Sequence, residues 1–173
     1  MRKLIIGYMF ILLDISVSLD IIQIGLIPDF VGYIFVLKAI KDLEFESDRF
    51  LRIRPAAIGA MIYLAFLYIM DMFGISATIE PIDNIFSLLG TAYSLYISYS
   101  IIKGLRDIEV DREVDLNTAK LLTVWKLLAA AQIISHLVVF WSTIAFIVYF
   151  MSLALSIWFL IELNRTKNYY EVD

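Results

Sequence analysis

A chain of 173 residues that is 61% hydrophobic and only 18% charged is too apolar for an ordinary globular domain, which runs at about 45–50% apolar and about 25% charged. Its net charge of −4 is mild, and the short connections mix both signs, so a nucleic-acid partner is not expected. The absence of cysteine removes disulfides, thiol catalysis, thiolate metal sites and S-acylation.

With a mean hydropathy of +0.84 and its apolar residues in long runs, the chain reads as an integral membrane protein of the all-α class. A membrane helix takes roughly 20 residues, so six would use roughly 120 and leave only short loops. The expected architecture is a bundle of six transmembrane helices in one membrane domain. The spans fall near 4–24, 28–45, 55–75, 84–105, 118–140 and 143–163. Each is apolar on most faces, as a helix surrounded by lipid or other helices must be. A membrane barrel would instead alternate over about 10 residues.

The first span opens "MRKLIIGYMFILLDISVS", which resembles a signal peptide. No small-x-small cleavage site follows and Asp14 interrupts its apolar core, so it is expected to be retained. The second span follows a break, "GLIPDFVGYIF", in which Pro28, Asp29 and Gly32 interrupt the apolar run. In the third, Ala56, Gly59 and Ala60 are candidates for close helix packing, as are Ala129, Ala130 and Ala131 in the fifth. Tyr93, Tyr96 and Tyr99 share a face of the fourth span, suited to packing and anchoring. Ser98 and Ser100 there are expected to bond backbone carbonyls. His136, the one histidine, sits in the outer half of span 5, four residues after Gln132. It reads as a hydrogen-bonded packing residue rather than a ligand.

The basic residues orient the chain. All 14 Lys and Arg lie on one side: before span 1, between the bodies of spans 2 and 3 and of spans 4 and 5, and after span 6. The opposite connections, near 25–28, 76–83 and 140–143, carry none. The positive-inside rule then places both termini in the cytoplasm and the protein in the plasma membrane, the inner one if the cell is a Gram-negative bacterium.

Residues 37–44, "LKAIKDLE", align without a gap with 102–109, "IKGLRDIE". Lys38 matches Lys103, Lys41 matches Arg106, Asp42 matches Asp107 and Glu44 matches Glu109. Convergence of helix ends on charge pairs at the membrane surface explains this, and so does duplication of a helical hairpin. A third copy at "LIELNRTKNYYEVD" is faint.

The polar residues inside the spans are the candidate binding site. Asp14 lies roughly 15 Å beyond Lys3 along a helix, near mid-membrane, where a carboxylate costs at least ~2.5–3.5 kcal/mol. It must be neutral, paired with a base such as Lys38, or open to water. Nine residues separate Pro28 from Lys38, about half of the ~30 Å hydrocarbon core, so one of the two lies deep. Asp20, Asp29 and Asp71 fall in the outer half, with Glu80 and Asp83 beyond them. Asp14, Asp20, Asp29, Lys38 and Asp71 are therefore the expected solute- or cation-binding residues of an outward-facing acidic pocket. In the bland reading the outer acids are interfacial, and Asp29 sits at the start of span 2, where a carboxylate suits the helix dipole.

No catalytic motif is present, and neither a cofactor nor a metal is expected. The turn Ile27-Pro28-Asp29-Phe30-x-Gly32-Tyr33 resembles one found after the first span of small polytopic membrane proteins of Gram-positive bacteria. That resemblance implies a membrane location and brings no activity with it. In size and six-span layout the chain is also similar to the substrate-binding subunits of energy-coupling-factor vitamin transporters. The expected function is binding or transport of a small solute or cation. A non-catalytic accessory protein packed on a partner is the alternative, and a lipid-acting intramembrane enzyme is a third. Beyond the bilayer, expected partners are a second copy of the chain or another membrane subunit.

Overall fold

The computed structural model describes residues 1–12, 16–19, 22–25, 28–73, 80–138 and 142–172. They form α1 (Arg2–Leu12), a hairpin of β1 (Ser16–Leu19) and β2 (Ile22–Gly25), then α2 (Asp29–Leu43), α3 (Asp48–Met72), α4 (Glu80–Asp111), α5 (Thr118–Leu137) and α6 (Ser142–Val172). The fold is thus mainly helical, with six helices among the described residues. Three of them, α3, α4 and α6, are long and apolar enough to cross a membrane. Their exposed faces carry Ile62, Phe66, Leu88, Phe146, Ile147 and Phe150, a surface that water would not tolerate. This is a membrane protein. In α5, Lys120, Lys126, Gln132 and His136 dilute an otherwise apolar stretch of 20 residues.

The first span departs from expectation. A helix over 4–24 does not form; α1 stops at Leu12 and an antiparallel hairpin follows. The sequence there, "SVSL" then "IQIG", alternates with period two, which favours a strand over a helix. The register pairs Val17 with Ile24 and Leu19 with Ile22, apolar opposite apolar, and Ser18 with Gln23. α2 keeps its expected start, with Pro28 at the N-cap and Asp29 in the first turn.

The helices pack in chain order, each on the next, and α1 touches α6, so the six close into a ring. Their ends on the side of the two termini are latched in pairs. Lys3 of α1 meets Asp42 of α2 at 2.6 Å, Arg49 of α3 meets Asp107 of α4 at 2.9 Å, and Lys120 of α5 meets Glu162 of α6 at 2.9 Å. A base at the start of each odd helix thus meets an acid in the second half of the next. Asp42 and Asp107 are the equivalent acids of the 37–44 and 102–109 segments, and Glu162 supplies the third in the faint copy. Arg112 joins further elements: it grips both Glu46 carboxylate oxygens at 2.5 and 2.6 Å, and its guanidinium lies over the Tyr170 ring. Those hydrogen bonds to Glu46 raise the Arg112 pKa above its ordinary value. Glu109 accepts from Leu116 N and from the Thr118 hydroxyl, fixing the entry to α5.

The core fills the same half of the bundle. Its largest members include Tyr8, Tyr33, Phe50 and Phe159, each within roughly 14 Å of its helix's latch residue at the helical rise. Counted from those latches, α1 reaches roughly 14 Å to Leu12, α2 roughly 20 Å to Asp29 and α3 roughly 35 Å to Met72 at the helical rise. The first two helices therefore end well short of the third. The β-hairpin lies between them in sequence, and β2 approaches α3.

Candidate functional site

Gly7 and Gly32 decide how α1 and α2 meet. A Cβ on Gly32 would stand 2.6 Å from the Gly7 carbonyl oxygen, so neither position has room for a side chain. Each glycine is followed by a tyrosine, and the close approach carries Tyr8 and Tyr33 into the core at 2% and 1% exposure.

Both rings reach a polar stripe on α4. Thr91, Ser94 and Ser98 are spaced three and four residues apart and share one helix face. The Tyr33 hydroxyl is directed at Ser94 and the Tyr8 hydroxyl at Ser98. Tyr8 completes no hydrogen bond among the described residues. The Ser98 hydroxyl donates to Ser94 O at 2.8 Å and accepts from Trp125 Nε1 of α5, also at 2.8 Å. Farther from the latches, Thr91 Oγ1 lies 2.9 Å from His136 Nε2 while donating to Ser87 O. His136 thus pairs with a hydroxyl of α4; Gln132 is not its partner. Four helices contribute to one seam of hydroxyl, indole and imidazole groups inside an otherwise apolar bundle.

Asp29 stands one turn before Tyr33 on α2, on the same face, close enough to act on the tyrosine electrostatically. The rings of Phe30 and Tyr68 meet edge to face at 5.7 Å, which places the start of α2 beside the end of α3. Asp29 and Asp71, both half-buried, therefore belong to neighbouring helix ends. Lys38 does not join them. It is exposed on α2, its ammonium 5.4 Å from the centre of the Phe35 ring. Asp14 and Asp20 lie outside the described residues, and so do the side chains of Glu80 and Asp83. Among the described residues no group of three His, Cys, Asp or Glu is placed to hold a metal ion.

The tyrosines singled out in the sequence face the other way. Tyr93, Tyr96 and Tyr99 are 40%, 58% and 37% exposed, toward the lipid. Ser98 does bond backbone carbonyls as expected, while also serving Trp125. Of the small residues in α3, Ala57 and Ala60 are buried, whereas a Cβ on Gly59 would meet nothing within 4 Å. The seam residues Tyr8, Tyr33, Thr91, Ser94 and Trp125 were not singled out. Their one signal was hydroxyls at helical spacing on α4, masked by the tyrosines interleaved with them. Compared with protein-family models, curated proteins and solved structures, the chain matches none.

Proposed function

We propose that the protein is a multi-pass protein of the cytoplasmic membrane, with both termini inside, which binds and transports a small solute or cation from the outer side. The binding region is the junction of α1, the β-hairpin and α2, with Asp29 and Asp71 at its mouth and the seam from Tyr33 to Ser98 below it. Asp14 and Asp20 belong to the same connection by sequence.

One observation supports this reading above others. α1 and α2 are both shorter than the ~30 Å hydrocarbon core, and the chain between them forms a hairpin of two strands, which among the described residues pairs with no third strand. Lipid cannot satisfy the backbone groups of a strand edge; irregular backbone at membrane depth persists only against protein or beside water. Paired half-helices with ionisable residues at their inner ends are a recurrent arrangement in solute-binding membrane proteins. Six helices are few for an independent transporter, so a second copy or a partner subunit completes the path.

The test is a thermal-shift screen of detergent-purified protein against inorganic cations, amines and vitamins, run beside Asp29→Asn. A ligand that binds the native state raises the midpoint with concentration, and the shift is expected to vanish in the variant. No shift with any compound, and a variant as stable as the wild type, would favour the second reading. That reading is a non-catalytic accessory protein, and the latching of every helix pair at the cytoplasmic end favours it.

A further inference from the structure

An open groove of about 610 Å³ lies at the cytoplasmic end, between the turn joining α2 to α3 and the last turns of α4. The solute reading makes no use of it. Two of its acids are already engaged: Asp107 by Arg49 and Ser47, and Glu46 by Arg112. That leaves Lys103 and Arg106 on one side of the charge balance and Asp48 and Asp111 on the other. None of these four forms an ion pair among the described residues. Among the described residues the groove thus carries two cations and two carboxylates outside any ion pair, with Lys103 also acting electrostatically on Asp107.

Two apolar side chains stand at its rim. Phe45 is 92% exposed and Val110 67% exposed, and they occupy the same position in the two aligned segments. On α4 the outward stripe runs Tyr96, Tyr99, Lys103, Arg106, Val110 at steps of three and four residues. The Lys103 ammonium lies 5.5 Å from the centre of the Tyr99 ring. A lipid-facing stripe that passes from tyrosine to Lys and Arg marks the headgroup layer, so the groove opens at the cytoplasmic leaflet.

We infer that this groove holds the headgroup of a zwitterionic phospholipid bearing a primary ammonium. The phosphate sits on Lys103 and Arg106, the ammonium on Asp48 and Asp111, and Phe45 and Val110 cover the glycerol and the first acyl carbons. An anionic headgroup would leave two carboxylates facing negative charge, and a simple cation would leave two bases facing positive charge. A headgroup with both signs satisfies all four. A primary ammonium donates hydrogen bonds to carboxylates, which a quaternary ammonium cannot. The inference is independent of the solute reading.

The experiment is native mass spectrometry of delipidated protein offered phosphatidylethanolamine, phosphatidylcholine or phosphatidylglycerol, with soluble glycerophosphoethanolamine as competitor. Wild type is expected to retain phosphatidylethanolamine in preference to the other two. Arg106→Gln and Asp111→Asn, both at exposed positions, should each reduce that retention about fivefold while their lipid-free thermal midpoints match wild type. Retention independent of headgroup, a preference for phosphatidylglycerol, or unchanged retention in both variants would overturn the inference. Competition by the soluble headgroup at concentrations equal to the lipid would also overturn it, by assigning the groove to a soluble phosphate ester.

Discussion

Gly7 and Gly32 stand backbone to backbone: a Cβ on Gly7 would lie 2.8 Å from the Gly32 carbonyl oxygen, and one on Gly32 would lie 2.6 Å from the Gly7 carbonyl oxygen. Backbone cannot yield as the tip of a side chain can, so the helices must part if either residue grows. Gly32→Ala is expected to destabilise by about 1–3 kcal/mol, read as a lower thermal midpoint in detergent. Gly59→Ala is the control, because its Cβ meets nothing within 4 Å. It should be neutral or stabilising by up to about 1 kcal/mol. Equal midpoints for the two variants would show that the α1–α2 contact is not tight.

Gly104 tests the equivalent contact between α3 and α4. Its Cβ would stand 2.7 Å from Phe50 Cζ, and the Phe50 ring is buried in the core, 1% exposed. Gly104→Ala should cost about 1–3 kcal/mol. Phe50→Leu makes the room the new methyl needs, so the double variant should lose less than the sum of the singles by at least about 0.5 kcal/mol. Strict additivity would mean that α4 shifts instead of meeting the ring.

The three latches differ in burial, and so in their effect. Asp42 and Asp107 side chains are 48% and 37% exposed, and Asp42→Asn or Asp107→Asn should each cost under about 1 kcal/mol. The Glu162 side chain is 2% exposed and accepts from Lys120, Arg165 and Trp158. Glu162→Gln is therefore expected to cost about 2–3 kcal/mol, tempered because both bases are half-exposed and can regain water. Denaturation of all three variants side by side gives the ranking; Glu162→Gln as mild as the others would refute it.

Ser98 provides the only acceptor that the described residues give to the Trp125 indole. Ser98→Ala should lose about 1 kcal/mol. In a Trp141→Phe, Trp158→Phe background it should also shift the Trp125 emission to shorter wavelength. An unchanged spectrum would mean the indole finds another acceptor.

Because the chain has no cysteine, single introduced cysteines report topology without background. Glu113→Cys should react with a membrane-impermeant maleimide only after cells are opened, and Thr78→Cys in intact cells. The reverse pattern would overturn the assignment of both termini to the cytoplasm.

The sequence alone determined the membrane class, six helices and the side on which the bases gather, because burial in lipid is a property of long windows and tolerates local error. It also exposed the equivalence of Asp42 and Asp107, since charge pairing at a membrane surface leaves a readable pattern. What folding decided was local competition and long-range placement. In 16–19 and 22–25 a period-two alternation prevailed over overall hydropathy, so α1 ended at Leu12 and these two segments paired as strands. Lys38 was drawn to the half-buried Phe35 ring instead of a buried carboxylate, because a long side chain on the outer face can reach the interface at little cost. The seam of Tyr8, Tyr33, Ser98 and Trp125 joins four helices, and its first and last members are 117 positions apart. Its one local mark is the helical spacing of the hydroxyls on α4; the burial of Tyr8 and Tyr33 follows from the close approach of Gly7 to Gly32, which pairs residues distant in sequence.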